Sequence, residues 1–354
     1  MNLKRIAVIS TGNGGQAMAA YLALHGYSVA LYAREQERVD MFHTNKFTLS
    51  GIESGTANID LISCDMEEII RDAAIVLVTT PAQYHPIVAR AMAKHLENYQ
   101  LVVLNPGRTL GTYAFEKTLQ ESGLNADILL CETETFPFTC RCIAPGNPMI
   151  YGIKKDVKLA AHHPNKTAAA VARLTPLFPA IIPAKSVFET GFANMGMVFH
   201  PLPILMNITR VEHKEGFHFY TEGISPLVAN ILTRLDAERV AVACAANVIV
   251  PDALTWLKHH YGASGDTLYE GFQSTQAYKN VMAPTDIDTR YIFEDVCTGC
   301  VPVSAIGKLL NVPTPIIDSV IAWATAVYDY DFYSNGRNET MFNLKELIQG
   351  IGEA

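Results

Sequence analysis

His200 lies in "VFHPLPILMN" (198–207), where it and Asn207 are the polar side chains of an apolar run. Prolines 201 and 203 follow it at once. Proline donates no amide and crowds the turn before it, so a helix here is kinked or restarted at His200. Imidazole titrates near neutral pH, and a ring held at such a break could give or take a proton during a reaction. The plainer reading is a core histidine with its nitrogens satisfied. Acid/base work would require a carboxylate to fix the tautomer and stabilise the charged ring. "TRYIFEDVCTGCVP" (289–302) offers two, Glu294 and Asp295, inside an otherwise apolar helical segment. Asn207 is about two helical turns past His200 and would share its face if the helix resumed. Cys140/Cys142 and Cys297/Cys300 could suggest a metal, but zinc needs four convergent ligands. They read as packed thiols, and no metal is expected.

A second kind of chemistry is written near the N-terminus. "RIAVIS" (5–10) is a β-branched run, "TGNGG" follows, and "QAMAAYLALHG" (16–26) has helical periodicity with a glycine stop. "YSVALYAR" (27–34) is a second strand. A glycine-rich turn between strand and helix turns backbone amides toward a pyrophosphate. On the dinucleotide fingerprint Ser10 takes the first glycine position, Gly12 the second and Gly15 the third, with Asn13 and Gly14 between. The second strand ends in Ala33 and Arg34, with Glu35 one step later. An arginine without a preceding acid suits the 2′-phosphate of NADP, with NAD as the alternative. The plainer reading is a solvated arginine beside a solvated glutamate.

The elements that must carry these groups alternate in the first half. "DAAIVLV", "QLVVLNPGR" and "ADILLCETETF" read as buried parallel strands. Ligands collect at the carboxyl ends of such strands, which makes Thr80, Pro81 and Asn105 candidates for cofactor contact. His85, just beyond one of these loops, reads as a surface residue. "MIYGIKK" and "AIIPAKSVF" look like an extension of the same sheet. From about 188 the pattern is helical. The expected fold is therefore α/β: a Rossmann-type doubly wound sheet over 1–187, then an all-helical domain over 188–354, with substrate in the cleft between them.

Composition excludes several partners. The 354 residues are 49% hydrophobic and 18% charged, as in folded globular proteins. A net charge of −8 argues against nucleic acid. No apolar run is long enough to span a membrane. Seven cysteines without a secretory signal suggest reduced thiols and a cytoplasmic protein.

Taken together, "GNGGQAMAAYLALHG", "VVLNPG", "FTCR", "HPLPILMN", "YTEGISP", "DAER", "TRYIFEDVCTG" and "NVPTPIID" resemble the opine dehydrogenase family of octopine and nopaline dehydrogenase type. The resemblance implies a Rossmann domain and a helical domain like that of 6-phosphogluconate dehydrogenase. It implies NAD(P)H-dependent condensation of a 2-oxo acid with the amine of an amino acid. It also implies a His–Asp pair, which falls on His200 and Asp295. Substrate carboxylates would need cations, for which Arg108, Arg141 and Arg290 are candidates, with Asn207 as a polar contact. A homo-oligomer, a dimer, is expected. Competing readings are a ketopantoate-reductase-like oxo acid reductase, which would use a lysine, and a non-catalytic NADP(H) sensor.

Overall fold

The computed structural model describes residues 5–352. The chain divides into two compact units. One comprises residues up to 107 together with 111–187, and the other comprises 108–110 together with the chain from 188.

The first unit is built on an eight-stranded sheet. Its order is Ile181–Pro183, Val157–Ala161, Leu129–Thr133, Leu101–Leu104, Ala73–Val78, Arg5–Ile9, Val29–Tyr32, Leu61–Ser63. All neighbours are parallel except Val157–Ala161 and Leu129–Thr133, which are antiparallel. The strands bury both faces, as parallel strands must. Ile6, Val8, Leu31, Ile75, Leu77 and Val103 pack with the helices Asn13–Leu24 and Thr167–Leu174. Their sequence neighbours Ala7, Ile9, Ala30, Val76, Val78, Val102 and Leu104 pack on the opposite face with His85–Met92 and Gly111–Glu121. One residue's step along a strand changes the helical layer it meets.

One expected strand lies elsewhere. "MIYGI" belongs to Asn147–Ile153, in a separate four-stranded sheet with Gly55–Asn58, Lys46–Gly51 and Phe138–Ala144. This sheet covers the helix Asn13–Leu24, and Phe47, Leu49, Phe138 and Ile150 share a core with Ala17, Met18 and Tyr21. Its strands bury alternate residues, the pattern of a one-sided sheet. Val157–Ala161, not anticipated from sequence, extends the main sheet and brings Ile181–Pro183 into it. His85 is 1% exposed rather than a surface residue, and its ring meets Phe115 edge-on at 5.8 Å.

The second unit is helical, centred on the 20-residue helix Pro226–Ala245. "DAER" lies within that helix and ties its neighbours to it. Arg239, fully buried, bonds Asp236 at 2.8 Å, Phe192 O at 2.5 Å and Pro251 O at 2.7 Å. Asp236 also accepts from Ala253 N at 2.6 Å. Glu238 accepts from the amides of Ile316 and Ile317 at the start of the helix Pro315–Tyr328. An unpartnered buried carboxylate is costly, so Arg239→Ala should destabilise the protein by about 3–5 kcal/mol. Urea unfolding monitored by circular dichroism checks this, and a loss below about 1 kcal/mol would refute the staple.

Candidate active site

In the first unit the turn after Arg5–Ile9 has the geometry of a dinucleotide cradle. Ser10 occupies the first fingerprint position with φ 138°, a backbone region that favours glycine. Its hydroxyl accepts from Gly12 N at 3.0 Å, so the side chain that replaces the glycine holds the turn it strains. Gly15 has no room for a side chain, because a Cβ there would lie 1.8 Å from Ser10 O. A Cβ on Gly14 would touch the Phe136 ring at 3.0 Å. Gly12 caps the helix Asn13–Leu24 without a side-chain hydrogen bond, so no cap side chain covers the first-turn amides. Asn13 straps the turn to the second sheet, its Oδ1 accepting from Cys142 N at 2.8 Å.

The remaining cofactor candidates of this unit differ in what they offer. Thr80 carries a buried Oγ1 with no hydrogen-bond partner among the described residues, and Pro81 caps the short turn Ala82–Tyr84. Asn105 is buried and directs its side-chain nitrogen at Val103 O, 3.0 Å away, so that donor serves its own strand. Arg34, at the end of the second strand, pairs with Glu35 at 2.7 Å with both side chains more than half exposed. Such a pair is weakly held and can be exchanged for a stronger anion. A cradle closed to side chains, uncapped amides and an orphan hydroxyl fit a nicotinamide dinucleotide. Arg141 is exposed on the strand Phe138–Ala144 of this unit.

The second unit holds the acid/base cluster. The helices Met195–Phe199 and Pro201–Met206 meet at His200, which donates its amide to Gly196 O and accepts from Ile204 N, each at 3.1 Å. The break expected from the prolines is present, and Pro201 starts the second helix where no amide is needed. His200 Nδ1 lies 2.7 Å from Asp295 Oδ2 and Nε2 lies 3.1 Å from the Tyr220 hydroxyl. The ring stacks on Tyr291 with centroids 4.0 Å apart. Asp295 accepts at Nδ1, so the neutral ring keeps its lone pair on Nε2, where Tyr220 can donate.

Asp295 is 0% exposed and its neighbour Glu294 1%. Arg108 joins both, with Nε 3.1 Å from Glu294 Oε1 and Nη2 3.5 Å from Asp295 Oδ1. Its Nη1 donates to Asn194 Oδ1 at 3.0 Å, and Asn194 also caps Met195–Phe199. Gly196 permits this approach: a Cβ there would fall 2.2 Å from Asp295 Oδ1 and 2.5 Å from Arg108 Nη1. Arg290 bonds Glu294 Oε2 at 3.1 Å while its side chain stays 45% exposed. A π-helical turn, Val296–Cys300, follows Asp295 directly. Two carbonyls of this turn, Cys297 and Thr298, accept from the amides of Arg337 and Thr109.

Three sequence expectations change here. Asn207 does not share a helix face with His200: the helix stops at Met206, and the Asn207 amide donates to Pro203 O at 2.9 Å and Gly223 O at 2.8 Å. Its side-chain nitrogen closes a helix end. Arg108 is tied to the carboxylates and so acts on them before any substrate. His200 has its pKa lowered, not raised as its carboxylate partner suggests. Burial disfavours the imidazolium more than Asp295 favours it, and Arg290 and Arg108 add repulsion. Tyr220, Tyr291 and Asn194 were not anticipated. Tyr291 is four residues before Asp295 on one helix face, and Asn194 is a cap residue before an apolar run; both signals were in the sequence.

Residues 183–328 match the model of the NAD/NADP octopine/nopaline dehydrogenase alpha-helical domain. Residues 5–121 match that of the NAD-dependent glycerol-3-phosphate dehydrogenase N-terminus. The chain is 37% identical over 347 residues to an opine dehydrogenase of Arthrobacter sp. (strain 1C), covering 97% of this chain and 96% of that protein. Among solved structures, yersinopine dehydrogenase without ligand superposes with a TM-score of 0.78 at 14% identity, covering 99% and 98% of the two chains. Octopine dehydrogenase in complex with NADH and agmatine gives 0.76 at 21% identity, with 98% of each covered. These two likenesses are of fold. With the extent and identity of the Arthrobacter match, they place the chain in the opine dehydrogenase family, as an NAD(P)-dependent oxidoreductase.

Proposed function

We propose that His200 is the general acid/base of this enzyme's reductive condensation, with Asp295 fixing its tautomer and Tyr220 aligning Nε2. The observation that carries the proposal is the 2.7 Å contact between Nδ1 and a fully buried Asp295. The amine of an amino acid adds to the carbonyl of a 2-oxo acid, the carbinolamine loses water, and the imine is reduced. The bound dinucleotide supplies the hydride for that last step, and the Ser10–Gly15 turn would hold its pyrophosphate. His200 gives a proton to the carbonyl oxygen, assists its departure as water, and takes a proton back when the product is oxidised. Arg290, its side chain 45% exposed, is the cation available to a substrate carboxylate.

Burial lowers the His200 pKa, and the charge count adds to it. Glu294 and Asp295 are balanced by Arg108 and Arg290, so a protonated His200 adds surplus positive charge. A substrate carboxylate in the cluster supplies the missing negative charge and favours the imidazolium. The acid form is thus loaded by the substrate that needs it. Among the described residues no lysine enters this assembly, which disfavours a ketopantoate-reductase-like site, and a complete acid/base set disfavours a mere sensor. Arg34 supports NADPH as the preferred cofactor. The seven free cysteines fit a reducing, cytoplasmic setting.

Consumption of NADPH should require an oxo acid and an amino acid together, with the condensed product identified by mass; equal rates with the oxo acid alone would overturn the substrate reading. For the cofactor, Arg34→Ala should weaken NADPH about 10- to 100-fold, the worth of one charge-assisted contact, and leave NADH nearly unchanged. A wild-type preference for NADH that the substitution does not alter would refute it.

The third expectation concerns pH. His200→Ala should lower turnover about 10²–10⁴-fold with dinucleotide binding intact. In the oxidative direction kcat/KM reports the free enzyme, and His200 must be neutral to act as base. Its activity should therefore fall on the acid side with an apparent pKa below the ordinary 6.5. Asp295→Asn removes the attraction that opposes burial, so it should move that limb lower still and reduce turnover. A limb above 6.5 in the wild type, or one raised by Asp295→Asn, would contradict the assignment.

A further inference from the structure

We propose that Glu116, His162 and His163 bind a divalent ion of the zinc class, at a site separate from the acid/base cluster. Glu116 lies on the helix Gly111–Glu121, and the two histidines follow the strand Val157–Ala161. Each offers one ligand atom, and these atoms lie within 4.8 Å of one another. Two imidazoles and a carboxylate suit zinc, nickel or cobalt, whereas calcium and magnesium want oxygen alone. The cysteine pairs gave no reason to expect a metal, and none of them is used here.

His162 Nε2 lies 2.7 Å from Glu116 Oε2, and the His162 side chain is 9% exposed. Its Nδ1 is buried without a hydrogen-bond partner among the described residues. A ring that binds an ion through Nε2 carries its proton on Nδ1, so the ion takes only the place of the proton shared with Glu116. Tyr113 closes one side, its ring edge-on to His162 at 4.7 Å, and the His163 ring stands 5.0 Å from that of His162. Metal–ligand distances of about 2.0–2.2 Å put tetrahedral ligand atoms roughly 3.4 Å apart, so the His162–Glu116 pair must open slightly while any pair near the 4.8 Å limit must close. Glu116 at 35% exposure and the exposed His163 have the freedom to do so, and water completes the coordination. The ion would clamp the helix to the loop beyond the strand.

The test uses the full chain, stripped with a chelator and titrated with zinc chloride against a chromophoric competitor. One saturable equivalent is expected, weakened about tenfold or more in His163→Ala and in Glu116→Gln. Both changes lie outside the acid/base cluster, so NADPH oxidation and circular dichroism report whether each variant is folded. Copper(II) in place of zinc should show two coordinated nitrogens by electron paramagnetic resonance, and one in His163→Ala. The absence of a saturable equivalent overturns the site. So does an affinity unchanged in both variants, which would put the ion on other histidines.

Discussion

Two adjacent carboxylates buried in the second unit set the terms for everything around them. Removing Glu294 and Asp295 from water costs several kcal/mol each unless opposite charge and hydrogen bonds replace it. Arg108 spans both, Arg290 takes the free oxygen of Glu294, and His200 takes Oδ2 of Asp295. Gly196 is a glycine because these groups occupy the space of its side chain, and Asn194 holds the guanidinium in place. The break at His200 follows from the same requirement. A continuous helix would not direct the ring at the carboxylate while presenting its far nitrogen to Tyr220.

This arrangement favours the neutral ring at rest. A histidine beside a lone aspartate would stay charged; one beside an aspartate already claimed by an arginine, and itself buried, sheds its proton readily. On the proposed role of His200, the second unit would hold a base in the absence of substrate and an acid in its presence, with a substrate carboxylate as the missing counter-charge.

Much of this was legible in the residues. The parallel strands announced themselves as apolar runs buried on both faces, and the histidine by the prolines beside it. The second sheet was missed because Asn147–Ile153 has the alternating burial of a one-sided strand yet lies among parallel-sheet segments. Local pattern cannot name the partner of such a strand. Asp295 was separable from Glu294 only through family resemblance, since both are buried and both sit on one turn. The direction of the His200 pKa was not legible for a related reason: its sign depends on burial and on Arg290 and Arg108, and pairwise reasoning from one partner omits both.

Arg108 has one more implication. With Thr109 and Leu110 it belongs to the second unit, although chain on both sides of it belongs to the first. Arg108 and Leu110 hold positive φ angles of 66° and 58°, and Arg337 Nη1 donates to Thr109 O at 2.7 Å. The half that builds the dinucleotide fold thus encodes a guanidinium for the other half's carboxylates. Genetic exchange of whole nucleotide-binding halves between oxidoreductases, joined at the start of the helical segment, would deliver a sound Rossmann sheet and still strip Asp295 of its counter-ion. A join placed before Arg108 rather than at residue 188 would keep the counter-ion with its carboxylates.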